Sequence, residues 1–212
     1  MLLALAALLA QGWLTTFPVR LSVLSTEGAS PYFILEPGHQ ATFQGKDGKV
    51  VITVLDETRT VASVATRVVE EREWRGGALI EVSRNYFAID STNGDVYYFG
   101  EDVDMYRKGK VVSHAGSWQH GVNGATFGLM MPGSPKVGMK FYQEQAKGVA
   151  MDRAEIVSVS ERVTTPAGTF DRCVKTRETT PLEKFARDEK IYAPGVGLIK
   201  DGDMVLVSRR GR

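Results

Sequence analysis

The sequence predicts an all-β fold: an antiparallel meander curled into an open or closed barrel, with few short helices. Three observations predict it. From about residue 40 onward apolar residues recur with a period close to two, and short Gly-, Asn- and Asp-bearing segments separate the runs. No stretch after residue 12 holds a 3.6-residue apolar period over three turns. The length of 212 residues suits one domain with a sizeable core. We expect a signal peptide over residues 1–12 and a single β-rich domain over residues 13–212.

Met1–Ala10 is an uncharged Leu/Ala run, too short to span a bilayer but matching the apolar region of a secretory leader. Ala10-Gln11-Gly12 supplies a small-x-small cleavage site that would release a chain starting near Trp13. No basic residue precedes the run, and no cysteine for lipid attachment follows it. Export to the periplasm or beyond is therefore expected, with no transmembrane segment.

The elements follow in order. Pro31–Leu35 is a short strand closed by Glu36-Pro37-Gly38. Ala41–Gln44 and Val50–Leu55 flank the hairpin signal Gly45-Lys46-Asp47-Gly48. Thr60–Trp74 and Leu79–Asp90 are long runs joined at Gly76-Gly77, and Asn93-Gly94 turns the chain from Tyr86–Asp90 into Val96–Phe99. Lys108-Gly109-Lys110 lies between Met105-Tyr106 and Val111-Val112. Later runs are Met139–Gln145, Glu155–Val163, Phe170–Arg177, Lys184–Tyr192, Val196–Lys200 and Met204–Ser208. Val157, Val159 and Val163 alternate with Ser158, Ser160 and Arg162, the pattern of a half-buried strand. Tyr86–Ile89 and Val96–Phe99 are apolar or aromatic on both faces and need cover on both. Between Gly116 and Gly138 the strand pattern lapses, and an irregular connection of that length in a compact domain is often functional.

Thr165-Pro166-Ala167-Gly168-Thr169-Phe170-Asp171-Arg172-Cys173 resembles the turn-and-strand of several exported bacterial families of uncharacterised function. Tyr192–Lys200 resembles their C-terminal hairpin, and Tyr98–Asp102, Gly116-Ser117-Trp118 and Gln143-Glu144 are similar to motifs of one secreted or lipid-anchored group. The resemblance implies a curved, partly open barrel akin to outer-membrane lipoprotein carriers, whose concave face holds acyl chains. The lipid-anchor cysteine of many such proteins is missing here.

Composition excludes several classes. The 26 basic and 25 acidic residues nearly cancel, so a nucleic-acid binder with a general basic surface is not expected. The single cysteine, Cys173, rules out an intrachain disulfide and a multi-cysteine metal centre. Neither Ser117 nor Ser134 stands in a nucleophile elbow, and no phosphate-cradling glycine loop opens a helix. No cofactor is expected. Glu101, Asp102 and Asp104 supply hard oxygen ligands but lack the spacing of a calcium loop, so a strand-ending turn is the plainer reading. His114 and His120, near Met130 and Met131, lack metal-site spacing. Glu144, Asp152 and Glu155 raise a carboxylate pair of the glycosidase kind, whose geometry no sequence displays.

The expected function is an exported accessory or binding protein whose concave apolar face holds a lipid-like or other hydrophobic ligand. Tyr98, Trp118, Met130 and Phe141 are the candidate ligand contacts, with Trp118 directed at the cavity from the Gly116–Pro135 loop. One alternative is a hydrolase or isomerase using Glu101, Asp102 and Glu144; the other is a structural cell-envelope component.

Overall fold

The computed structural model of the chain describes residues 12–211. The leader expected over residues 1–12 falls, apart from Gly12, outside them. An N-terminal stretch carries the single-turn helix Leu21–Val23 and three two-residue strands, β1 (Leu24–Ser25), β2 (Ala29–Ser30) and β3 (Phe33–Ile34). The meander follows as β4 (Gln40–Gln44), β5 (Gly48–Val61), β6 (Val64–Arg75), β7 (Ala78–Asp90), β8 (Val96–Arg107) and β9 (Lys110–Ser113). After β10 (Trp118–Gln119) and β11 (Thr126–Met131) come β12 (Lys140–Tyr142) and β13 (Glu144–Gln145). Four long or medium strands and one short one complete the chain: β14 (Arg153–Thr165), β15 (Gly168–Thr180), β16 (Glu183–Ala193), β17 (Gly197–Asp201) and β18 (Met204–Arg210).

Every pairing between these strands is antiparallel, and the sheet runs β12-β14-β15-β16-β17-β18-β4-β5-β6-β7-β8-β11-β13. Its two ends are halves of one segment, Lys140–Gln145, bent at Gln143. Lys140–Tyr142 pairs with β14 and Glu144-Gln145 with β11, so the meander closes into a near-barrel across that bend. Gly128 of β11 makes the closure possible: a Cβ there would lie 2.4 Å from the Tyr142 and Gln143 carbonyl oxygens. The N-terminal stretch reinforces the seam. Leu14 bridges Phe141 in parallel, and Gln145 Nε2 donates to the Thr15 carbonyl at 2.8 Å.

The all-β meander is what alternation and turn chemistry predict, and three local expectations need correction. Thr60–Trp74 is not one run: the chain reverses at Ala62-Ser63, whose φ values of 46° and 70° make a two-residue hairpin without the usual Gly or Asn. The Gly116–Gly138 stretch is not structureless, since it contributes β10 and β11, both against β8. Met139–Gln145 is split by the bend at Gln143.

The Tyr86–Ile89 and Val96–Phe99 hairpin is covered on both sides. Phe87, Ile89, Val96 and Tyr98 join one core with Leu35, Val54, Val69 and Tyr192. Tyr86, Ala88, Tyr97 and Phe99 face the other way, where Phe17 and Val19 close over them. Phe17 meets Tyr97 edge-on at 6.1 Å between ring centres. Arg67, 2% exposed, lies on the Phe87 side and holds the Thr26-Glu27 part of the N-terminal stretch. Its guanidinium donates to the Thr26, Leu55 and Glu57 carbonyls and to Glu27 Oε1 at 2.7 Å. The Leu55 and Glu57 carbonyls fall where β5 slips register against β6 between Val54 and Thr58, and they give the buried charge its partners. Among the described residues no helix is long and apolar enough to cross a membrane.

Candidate functional site

A cavity of about 290 Å³ lies between the inner faces of the strands. Its walls are layered. On β6, β7, β8, β16 and β17 an apolar or aromatic residue is followed, in the same direction along the near-barrel, by a polar one. The pairs are Val69 and Glu71, Phe87 and Asn85, Tyr98 and Glu101, Tyr192 and Lys190, and Leu198 and Asp201. Glu178 of β15, together with Gln143, Glu144 and Asp152, completes the polar layer. Ile52 and Val54 of β5 extend the apolar one.

Two bulges create part of this arrangement. Strict alternation from Tyr98 would turn Gly100 and Asp102 inward. Gly100 pairs with Tyr86 while Tyr98 pairs with Phe87, which leaves Phe99 as an extra residue and turns Glu101 inward instead. Gly100 is required at that point, because its φ is 147° and a Cβ would lie 2.5 Å from the Trp118 carbonyl oxygen. On β17 the extra residue is Ile199, so Asp201 rather than Lys200 shares the inner face with Leu198. The Gln143 bend likewise sends two consecutive side chains, Gln143 and Glu144, to the same cavity.

The polar layer is short of cations. Lys190 Nζ lies 3.0 Å from Glu178 Oε2 and 3.5 Å from Asp201 Oδ2. Gln143 Nε2 and Thr176 Oγ1 donate to Glu178 Oε1 at 3.2 and 3.3 Å. Glu144, 5% exposed, accepts the Asp152 amide N–H at 2.9 Å. The Tyr98 hydroxyl donates to Asn85 Oδ1 at 2.5 Å and lies beside the Glu101 carboxylate. The Glu71 carboxylate has no hydrogen bond and no ion pair within 4 Å among the described residues.

Burial in the cavity wall dominates the electrostatics. It pushes the Glu71 carboxyl up to about 7; Lys190 opposes the shift while Asp201, Glu81 and Glu73 add to it. Burial also takes Glu101 to about 7, against the Tyr98 hydroxyl and with the help of Glu81, Glu71 and Asp152. Glu144 is driven well above the ordinary carboxylate range by burial and by Asp152. Asp152 and Asp201 are raised, again chiefly by burial. Burial works against the Lys190 ammonium, but Glu178 and Asp201 outweigh it and hold the group charged.

Of the residues singled out from the sequence, Tyr98, Met130, Glu101, Glu144 and Asp152 line the cavity. Trp118 does not: it is 6% exposed on β10, opposite Glu101, with its ring edge-on to Tyr98 at 5.2 Å. Phe141 is fully buried in the second core with Ala154 and Val174. Asp102 and Asp104 point to the opposite face from Glu101, so the three carboxylates do not converge. Asp102 meets Arg59 at 3.0 Å and the Tyr86 hydroxyl at 2.6 Å, and Asp104 meets Arg84 and His114. Glu155 faces outward to Lys140 and Arg177. No group of three or more metal-ligating side chains is poised for an ion among the described residues. Glu71, Glu178, Lys190 and Asp201 were missed. The Glu71 and Lys190 side chains follow the strand period from Val69 and Tyr192, but nothing local marks that face as the inner one.

Comparison with protein-family models, with curated proteins and with solved structures found no match.

Proposed function

We propose that this protein is an exported accessory or binding protein that holds one small hydrophobic or amphiphilic molecule inside the near-barrel. The observation that carries this reading is the cavity itself, with an apolar layer from Ile52, Val54, Val69, Phe87 and Leu198 beside a layer of hydrogen-bonding groups. Small-molecule sites combine these two features, and 290 Å³ falls just below their ~300–1,000 Å³ range. The size favours a single short chain or ring system over a multi-acyl lipid. The Leu/Ala run at Met1–Ala10 and the resemblance of Thr165–Cys173 to exported families support export.

The test is a fluorescence titration with the uncharged probe N-phenyl-1-naphthylamine. Saturable one-to-one binding is expected, and Leu198→Trp, which fills the apolar layer, should weaken it by about tenfold or more. Absence of saturable binding to the wild-type protein overturns the reading.

One observation favours a second reading, a carboxylate-dependent hydrolase or isomerase. Glu101 titrates near neutrality beside the Tyr98 hydroxyl, the condition of a general acid or base in a cleft. Glu101→Gln would then abolish turnover while leaving probe binding in place.

A further inference from the structure

We infer that the occupant of the cavity is a small organic cation, an alkyl- or arylammonium whose apolar body lies against Val69, Phe87 and Leu198 and whose positive head meets Glu71, Glu101 and Glu144. The inference rests on the interior being a ligand site, and it names the chemical class of the ligand.

Charge and packing carry it together. Lys190 is the only lysine or arginine among the described lining residues, and Glu178 and Asp201 already claim it at 3.0 and 3.5 Å. Four further carboxylates share the wall: Glu71, Glu101, Glu144 and Asp152. None has a lysine or arginine nitrogen within 4 Å among the described residues. Glu144 is the sharpest case. It is a carboxylate 5% exposed, lining the cavity, with one backbone N–H as its hydrogen-bond donor and no countercharge. An ionised carboxylate so placed is strongly disfavoured until a proton or a cation joins it. Without a countercharge, protons would meet that need, which agrees with the raised titration of Glu71, Glu101 and Glu144. A ligand ammonium would replace them with charge-assisted hydrogen bonds.

The same wall selects against other heads. A fatty-acid carboxylate would bring like charge to the polar layer, which distinguishes this interior from a carrier of free acyl chains. A bare metal ion is not the natural guest either, because the described residues offer no three-ligand cluster. The apolar layer, one position along the same strands, supplies the place for a hydrocarbon body.

The experiment is calorimetric titration of the full chain at pH 8 with octylammonium, octanol and octanoate, three probes sharing one tail. Octylammonium should bind at least about tenfold tighter than octanol, ~1.4 kcal/mol, and octanoate should bind weakest. Glu144→Gln and Glu71→Gln, each made separately, should weaken octylammonium by about three- to tenfold and octanol by distinctly less. Should the buried Glu144 variant fail to fold, Glu71→Gln and the wild-type probe ranking still decide. Octanol equal to octylammonium, or octanoate tightest, overturns the cationic ligand while leaving a hydrophobic site standing. No binding by any of the three overturns the ligand site as well.

Discussion

Glu70 and Glu71 are neighbours on one strand, as are Glu101 and Asp102 on another, yet the two faces of the sheet treat them oppositely. On the outer face Glu70 meets Arg72 at 2.6 Å and Arg84 at 3.5 Å, and Asp102 meets Arg59 at 3.0 Å. On the inner face Glu71 and Glu101 meet no arginine, and burial moves both toward neutrality. Residue type and local sequence are nearly the same in each pair. The difference lies in which neighbours the register supplies on each face: arginines for Glu70 and Asp102, other carboxylates for Glu71 and Glu101. An outer acid has an arginine partner, whereas an inner acid has a raised carboxyl and no arginine.

The largest expected effect concerns the support behind the inner wall. Trp118 packs on Tyr98 and sits opposite Glu101, so Trp118→Ala should lower stability by ~3–5 kcal/mol in urea denaturation. Trp118→Phe should lose far less, because the indole N–H has no hydrogen-bond partner among the described residues. Equal losses in the two variants would mean that the N–H, rather than the ring's volume, holds the wall.

Gly100→Ala should follow at roughly 2–4 kcal/mol, since an alanine there must leave both its φ and its contact with the Trp118 carbonyl. If it is as stable as wild type, the bulge is not pinned by that contact, and the separation of Glu101 from Asp102 needs another cause.

The sign of the pH dependence is the sharpest contrast between the faces. A glutamate whose carboxyl is raised from 4.5 to about 7 keeps a proton in the folded protein that the unfolded chain has already released. Its contribution is fully present below about pH 4.5 and is lost as the pH rises to about 7. Glu71→Gln and Glu101→Gln should each therefore stabilise the protein at pH 8, by ~1–3 kcal/mol, and change little at pH 4. The groups facing Glu71 are Lys190, Asp201, Glu81 and Glu73, and those facing Glu101 are Tyr98, Glu81, Glu71 and Asp152. Loss of stability at pH 8 in both variants would contradict the unpaired inner wall.

Asp102→Asn, on the outer face, should give the smallest effect and the opposite sign. Arg59 and Asp102 are each about half exposed, at 45% and 42% of the side chain, so a loss of ~0.5–1 kcal/mol at pH 8 is expected, shrinking in salt. Stabilisation by Asp102→Asn would erase the distinction between the faces.

Much of the architecture was legible because it is written locally. Gly76 and Gly77 both take the positive φ their turn demands, and in the Asn93-Gly94 turn Gly94 alone does so. Alternation alone marks the long strands, and the two-sided apolar hairpin announces that both its faces are covered. The Ala62-Ser63 turn was invisible because neither residue is a usual left-handed one; pairing between β5 and β6 holds them there. Tyr98, Met130, Glu101 and Glu144 were found as chemistry-bearing residues, but Glu101, Asp102 and Asp104 lie inside β8 rather than in a strand-ending turn, and Trp118 and Phe141 went to the core.

By itself the sequence determined an antiparallel β meander, its principal turns and the near-balance of its charges, because period and turn chemistry act over a few residues. Tertiary structure alone decided that Glu101 rather than Asp102, and Asp201 rather than Lys200, would look inward. Each choice depends on one extra residue in a ladder, Phe99 or Ile199, and on the strand that lies across from it. A one-residue slip reverses every side chain beyond it, and the energy that selects the slip comes from partners distant in the chain.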